Sequence, residues 1–459
     1  MERTLFTWTE VKEITSGTWL AEPTEQACTA VLDDSRKLTK GALFVAVAGE
    51  IVDGHRFIRQ AGQGGAAAVC VSHITDEELS ELASHGIGIL KVADTLAAFQ
   101  ALAACHRARF DIPVLAVTGS CGKTSTKEMC ASILNVKFPG AVLKTEGNTN
   151  NHFGVPRNLF RMDGETQAAV IEAGSNHPGE IAALGRLIQP TCALITCIGA
   201  AHLEFFHDLR GVAEEKGDIY QAVRRGGWAV MPYACAGRDI LDRHAEGLHV
   251  MTFGTEEGAD VQAIYGGPVA GGYLLTLRER RSGEEVSFTW GIGGEAQASN
   301  AAGAAAVGLV HGMSLAQIAE GLKACALPGN RMRMVDINGI HLINDAYNAN
   351  PNSMAASLKW LAEICTDISS LLVIIGDMRE LGEQGLEAHR QMASLAVSLF
   401  GKEHVILVGE LFRQVAEEGM RCFGSVDELS SLLPLPEGSQ VFLKASFGIG
   451  LYKFEAMLQ

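Results

Sequence analysis

The chain has 459 residues, 47% hydrophobic and 20% charged, with 37 Lys plus Arg against 53 Asp plus Glu for a formal charge of −16. This length exceeds one ordinary core and predicts about three domains, and the apolar share excludes a disordered chain. The negative field excludes nucleic acid as an expected partner, since the densest basic run, Arg278–Arg281, contains Glu279 and precedes Glu284 and Glu285.

The eleven cysteines are odd in number and show no CxxC or CxxxC spacing, so they read as reduced thiols, several of them in apolar runs. The opening MERTLFTWTEVKEI lacks a basic segment before an apolar one, and no apolar run is long enough to cross a bilayer. A soluble cytoplasmic protein without membrane insertion is expected.

Along the chain, Leu43–Val47, Ala66–Val71 and Ile87–Val92 read as strands between Gly- and Asp-containing turns. A helix follows at Leu96–Arg107, then a buried strand at Val114–Gly119 running into a glycine turn and another helix. Further strands are predicted at Ala168–Gly174, Cys192–Gly199 and Trp228–Pro232, with helices between them. That alternation predicts an α/β fold with a parallel sheet covered on both faces. From Gly271 to Trp290 the pattern becomes an antiparallel hairpin around Arg281-Ser282-Gly283, followed by an alanine-rich helix at Ser299–Val310 and a second helix ending near Leu327. A new α/β unit then begins, with strands at Leu371–Met378, Val405–Gly409 and Val441–Ser446. The expected boundaries are near residues 94 and 328, giving domains 1–94, 95–328 and 329–459.

The strongest chemical signal is Val114–Ser125, VLAVTGSCGKTS. Gly119, Ser120, Cys121 and Gly122 form a tight loop between a buried strand and a helix starting at Lys123. Several backbone N–H groups and a helix N-terminus then converge, which suits a polyphosphate. Lys123 would reach the β- and γ-phosphates, Thr124 would offer its hydroxyl to Mg²⁺, and Ser125 completes the loop. The usual pattern has glycine where Val117 stands. A GTPase switch is disfavoured because the chain contains no Asn-Lys pair; an ATP-driven motor or a small-molecule kinase stays open.

Ligands of such sheets bind beyond the strand carboxyl ends. Glu172, His202 and Lys216 fall there, as do Glu204 and the asparagine-rich segments TEGNTNNHFGVPRNL and INDAYNANPNSM. A carboxylate and a histidine near a γ-phosphate make sense as Mg²⁺ ligands. The bland readings are a helix cap for Glu172, a structural role for His202, a solvated ion pair at the start of a helix for Lys216, and turns for the asparagines. Asparagine clusters also suit a sugar or peptide substrate.

Taken together and in this order, these segments resemble the Mur ligase family over nearly the whole chain. DDSRKLTKGALFVAVAGEIVDGHRFI resembles the family's uridine-nucleotide region, implying Ser35 and Arg36 at the UDP-sugar end. TGSCGKTS resembles its shortened phosphate loop, which accounts for Val117. TEGNTNNHFGVP, with Asn148, Asn150 and Asn151, resembles the segment that places substrate beside the γ-phosphate. IEAGSNHPGEI and AAHLEFF imply Mg²⁺ ligands at Glu172 and His202, and VAEEKGDI implies a carbamylated Lys216 holding that metal. DAYNANPNSM resembles the dipeptide-adding branch and implies Asp345 and Asn348 near nucleotide and second substrate, with Tyr347 and Asn350 beside them; GDMRELG fits the same branch. Arg331 of GNRMRM matches an arginine that helps bind ATP.

Two segments depart from the pattern. Ala296-Gln297 stands where the family often has His-Asn, leaving Gln297 and Asn300 as adenine contacts, and Lys444-Ala-Ser-Phe447 replaces Lys-Gly-Ser-Arg, removing a guanidinium that would grip a carboxylate.

The resemblance implies a small α/β N-terminal UDP-sugar domain, a central parallel-sheet P-loop ATP-binding domain and a Rossmann-like C-terminal domain for the incoming amine. It implies ATP with two Mg²⁺ ions, and UDP-N-acetylmuramoyl-tripeptide and D-alanyl-D-alanine joined through an acyl phosphate in peptidoglycan precursor synthesis by a monomer. Lys123, His202 and Lys216 are the expected catalytic residues. A folylpolyglutamate-type ligase and a nucleotide-binding regulator without ligase activity are the alternatives.

Overall fold

The computed structural model describes residues 4–49, 52–365 and 367–459; within the uridine-like segment, Glu50 and Ile51 lie outside the described residues. Its strands form three sheets of five, nine and six strands in a mixed α/β chain. Two compact units arise, one from residues through Ala116 with 141–174 and 182–191, the other from 117–140, 175–181 and 192–459.

In the first unit the five-stranded sheet runs Thr18–Ala21, Gly88–Lys91, Ala66–Val71, Ala42–Val45, Ala30–Leu32. All neighbours are parallel except the edge strand Thr18–Ala21. Ala66–Val71 is buried at every position, as a parallel strand covered on both faces must be. Period-two alternation sends Leu43, Val45 and Ala68 to one face against Phe99 and Leu102 of helix Thr95–Ala108, and Phe44 and Val69 to the other against Ile58 and Ala61. That helix starts where Asp94 accepts hydrogen bonds from the Leu96 and Ala97 amides. Residues 95–116 fall in the same compact unit as the N-terminal sheet. The same unit holds the parallel pair Val142–Lys144 and Ala168–Glu172.

The second unit carries the strand run Cys192–Ile195, Trp228–Pro232, His249–Gly254, Val261–Val269, Gly272–Glu279, Glu285–Trp290. Its first four strands are parallel and the last two pairings antiparallel. Helices Lys123–Lys137 and Glu295–Val310 are buried along most of their lengths. The six-stranded sheet of this unit runs Arg333–Ile337, Ile340–Asn344, Gln440–Lys444, Leu371–Gly376, Val405–Val408, Arg421–Phe423. Val373 and Ile375 enter one apolar cluster and Ile374 the opposite one, so this sheet too is covered on both faces.

Three details differ from the sequence reading. Lys216 does not begin a helix: it lies inside Leu209–Gln221, whose start is set by Asp208 accepting from the Gly211 amide. The strand Val261–Val269 is masked in the sequence because Gly266-Gly267-Pro268 breaks its alternation. The hairpin Arg333–Ile337/Ile340–Asn344 turns at Asn338-Gly339, both at positive φ, which is the Asn-Gly signal of a tight hairpin and was legible in principle.

Arg107 is fully buried and donates to the carbonyls of Ile188, Phe110 and Gln189, two of them at the end of helix Glu180–Ile188. Replacing it strips donors from orphan helix-end carbonyls at roughly 1–3 kcal/mol each. Arg107→Leu is expected to lower stability by at least about 3 kcal/mol in urea unfolding; an unchanged midpoint would refute this.

Candidate active site

The loop after strand Val114–Thr118 has the shape its sequence predicts. Gly119 and Gly122 adopt φ of +142° and +77°. A Cβ on Gly119 would stand 2.0 Å from Thr196 Oγ1, and one on Gly122 2.4 Å from Asn300 Oδ1, so both positions need glycine for space as well as for φ. Ser120 anchors the loop to the segment beyond strand Cys192–Ile195. Its amide donates to the Cys197 carbonyl at 3.0 Å, and its hydroxyl bonds both the Gly199 carbonyl and amide at 2.9 Å. Lys123 Nζ donates to the Gly119 carbonyl at 2.7 Å, folding its charge back over the loop. Ser125 is buried in the first turn of the following helix.

Residues distant in sequence gather on this loop. Arg331 Nη2 lies 3.2 Å from Thr124 Oγ1, and its guanidinium stacks 3.7 Å above the Tyr347 ring. Asn300 donates to Gln297 Oε1 at 3.0 Å, so the two expected adenine contacts face one another. Asp345 is buried, accepting from Lys444 Nζ at 2.6 Å, Ser357 Oγ at 2.7 Å and the Met332 amide at 3.1 Å. Asn348 and Asn350 hold backbone: Asn348 Oδ1 accepts from the Ala349 amide, and Asn350 caps helix Pro351–Ile364 in a reciprocal pair with Ser353.

Lys216 is 1% exposed, its Nζ 2.6 Å from Ser175 Oγ and 5.5 Å from the Phe206 ring. Burial first, and the charge of Lys123 second, bring its amine down to about 7. The solvated ion-pair reading of Lys216 therefore fails, because no water surrounds it to support the charge. Its neighbour Glu215 accepts instead from the Gly179 and Ile181 amides at 2.6 and 2.8 Å, capping helix Glu180–Ile188 in the role considered for Glu172. His202, at φ +53°, has Nδ1 2.7 Å from Glu380 Oε2. This is ion-pair distance with an approach off the hydrogen-bond direction. The imidazole holds the Glu380 carboxyl below its usual range.

In the other unit, Glu172 ends its strand buried and accepts from Asn150 Nδ2 at 2.8 Å. Asn150 also donates to Asn148, whereas Asn151 receives the Phe153 and Gly154 amides at the start of helix Gly154–Leu159. Arg36 is committed to Asp34 through two bonds of 2.9 Å, which pull that carboxyl down to about 2; Ser35 donates to Gln60. Among the described residues one further cluster has metal-like spacing, Asp53, His55 and His73. Both ring nitrogens of His55 are engaged, Nδ1 with Asp53 and Nε2 with the Ser72 amide, so the cluster is a structural one.

Family models match across the chain: "Mur ligase family, catalytic domain" at residues 29–105, "Mur ligase middle domain" at 117–308 and "Mur ligase, glutamate ligase domain" at 330–435. The UDP-N-acetylmuramoyl-tripeptide–D-alanyl-D-alanine ligase of Escherichia coli is 36% identical, the alignment covering 83% of this chain and 81% of that one. The chain belongs to the Mur ligase family. The corresponding Bacillus subtilis ligase is 33% identical over 90% of this chain and 87% of its own. A crystal structure of MurF from Acinetobacter baumannii superposes with a TM-score of 0.89 at 30% identity, covering 99% of this chain and 98% of that one. The protein is thus an ATP-dependent ligase, as Mur ligases are.

Reading the sequence missed Ser175, Glu215 and Glu380, which have no local motif and are found only through their contacts. It also missed Arg379, whose guanidinium lies where a Cβ on Gly448 would stand, 2.6 Å from Nη1. A positive charge therefore remains beside Phe447, although this Mur ligase lacks arginine at position 447 itself. The close approach at Gly119 yields the sharpest expectation here. Gly119→Ala should weaken ADP binding at least about tenfold, through backbone strain and collision with Thr196; titration calorimetry giving wild-type affinity would contradict it.

Proposed function

We propose that this Mur ligase joins D-alanyl-D-alanine to the terminal carboxylate of UDP-N-acetylmuramoyl-tripeptide, using ATP and passing through an acyl phosphate, as a cytoplasmic monomer. The observation that carries this reading is the meeting of Thr124, in the phosphate loop, with Arg331 stacked on Tyr347 of DAYNANPNSM. It joins the nucleotide loop to the segment that resembles the dipeptide-adding branch. The relatives bearing that activity's name cover more than four-fifths of the chain.

The loop amides of Gly119–Ser125 and the Lys123 ammonium hold the ATP phosphates, with Arg331 and Asn300 completing the nucleotide site and Asp345 positioning Arg331 through its bond to the next amide. A carboxylate oxygen of the tripeptide attacks the γ-phosphorus and ADP leaves. The dipeptide amine then attacks the acyl carbon, losing its proton as phosphate departs. Ser35 and Arg36 serve the UDP end; Asn148, Asn150 and Asn151 order the segment beside the acceptor, and Tyr347, Asn348 and Asn350 the segment facing the amine. Domain limits near residues 94 and 328 go with this division of labour.

Donors of the kind Mg²⁺ takes stand at Thr124 and His202 in one unit and at Glu172 in the other, and two Mg²⁺ ions would neutralise phosphate charge when bound. An ammonium at Lys216 does not suit them, but a carbamate does. An amine brought down to about 7 has a substantial neutral fraction, the form reactive toward CO₂, near neutral pH.

Phosphate release is expected only when tripeptide and D-alanyl-D-alanine are both present, with a product heavier by the dipeptide. Silence with that amine but turnover with another would replace the named substrate. For Lys216, enzyme depleted of CO₂ should regain activity when CO₂ is returned, faster above pH about 7, where the amine is neutral, than below it. Lys216→Ala should lose roughly 10–100-fold in activity or more; a variant with wild-type turnover would remove Lys216 from the site.

A further inference from the structure

None of the eleven cysteines is in a disulfide, and two of them meet. Cys121 sits in the middle of the phosphate loop, and Cys197 lies two residues beyond strand Cys192–Ile195. Their Sγ atoms are 2.9 Å apart. A disulfide needs about 2.05 Å, so the sulfurs must close by roughly 1 Å. The backbone already fixes the pair: the Ser120 amide donates to the Cys197 carbonyl, and Thr196 Oγ1 donates to the Cys121 carbonyl at 2.5 Å.

Environment separates this pair chemically from its fellows. Both thiols are partly exposed, as are Cys105, Cys235, Cys325 and Cys422; Cys28, Cys70 and Cys192 are buried, and burial pushes each of these up to about 12. The Cys121 thiol and amide both turn toward the Cys197 sulfur, and together with the charge of Lys123 they hold Cys197 below the usual thiol range. One partner is thus the nucleophile and the other sits ready to resolve it.

We propose that Cys121 and Cys197 form a peroxide-sensitive dithiol site whose disulfide bridges the phosphate loop and reversibly weakens nucleotide binding. The Cys197 thiolate attacks a peroxide oxygen, giving a sulfenic acid and releasing hydroxide. The Cys121 thiol then displaces the sulfenic oxygen as water, so two thiols lose two hydrogens to the peroxide. An external dithiol reverses the step by exchange. The cost to nucleotide follows from the loop geometry. The Cys121 N–H donates to Cys197 Sγ at 3.3 Å, and the bond would lock it there, denying the phosphates one donor.

This inference rests on the reading of residues 119–125 as the ATP loop. Reduced full-length protein is treated with hydrogen peroxide, its remaining thiols are capped with N-ethylmaleimide, and digests are mapped by mass spectrometry while ADP affinity is measured by calorimetry. Expected are a linked peptide pair containing Cys121 and Cys197, ADP affinity lower by about tenfold, the worth of one hydrogen bond to a charged group, and full recovery with dithiothreitol. By reciprocity ADP should shift the dithiol–disulfide equilibrium toward the dithiol. Cys197→Ser should bind ADP normally and keep that affinity through peroxide treatment. The proposal is overturned if both cysteines are recovered separately capped, or if the linked protein binds ADP as well as the reduced one. Cys197→Ser losing affinity to peroxide like the wild type also overturns it. Reduced protein that binds no ADP at all would instead overturn the nucleotide reading along with it.

Discussion

The geometry of the second unit turns on how closely the loop at residues 119–122 approaches the segment at 196–199. Two glycines make this possible, one against Thr196 and one against Asn300, where any Cβ would collide. Ser120 then locks the contact by bonding three backbone groups of residues 197 and 199. The consequence is that two chain segments leave the same point. One is the helix beginning at Lys123, and the other leads to His202 five residues after Cys197. A single tight contact thus registers the phosphate loop with the segment that the resemblance assigns to the metal. The same contact brings two cysteines within bonding range, so redox sensitivity would be a by-product of building the loop so tightly.

Electrostatics around this core are settled mostly by burial. Lys216 has almost no exposure, the hydroxyl and carbonyl of Ser175 as partners and an aromatic ring nearby; the charge of Lys123 acts against its ammonium, and those of Glu215 and Glu180 act for it. Burial penalises the cation more than those carboxylates favour it, which populates the neutral amine and makes carbamylation a chemically reasonable outcome. Asp345 shows the opposite solution. Its buried carboxylate has Lys444, a serine and a backbone amide around it, so the charge stays satisfied. Such a pair adds little net stability but fixes one arrangement, and here the arrangement fixed is that of Met332, next to Arg331.

The asparagine segments divide along similar lines. Asn151 and Asn350 cap helices, and Asn348 holds its own turn, so part of the turn reading is present in the structure. Asn150 does something else, reaching Glu172 across 22 residues. Capping and substrate binding are compatible, because a capped helix start presents its neighbours in fixed positions. Arg36 is tied to its own neighbour Asp34 through Nε and Nη2, which leaves its Nη1 donors for an anionic ligand.

The sequence by itself determined the elements whose causes are local. Strand Ala66–Val71, helix Thr95–Ala108 after Asp94, and the Gly119–Lys123 loop follow from runs of apolar residues, a capping side chain and glycines that permit positive φ. It also carried the order of motifs that marks the family. Only the tertiary structure decided what depends on approach between distant residues. Lys216 reads as a solvent-facing member of a charged run until Ser175 and Phe206 close over it, and Cys121 and Cys197 are 76 residues apart in the chain yet in contact. Local sequence fixes backbone conformation through sterics and capping. Burial, the pairing of charges and the meeting of thiols are set by packing, which no segment determines alone.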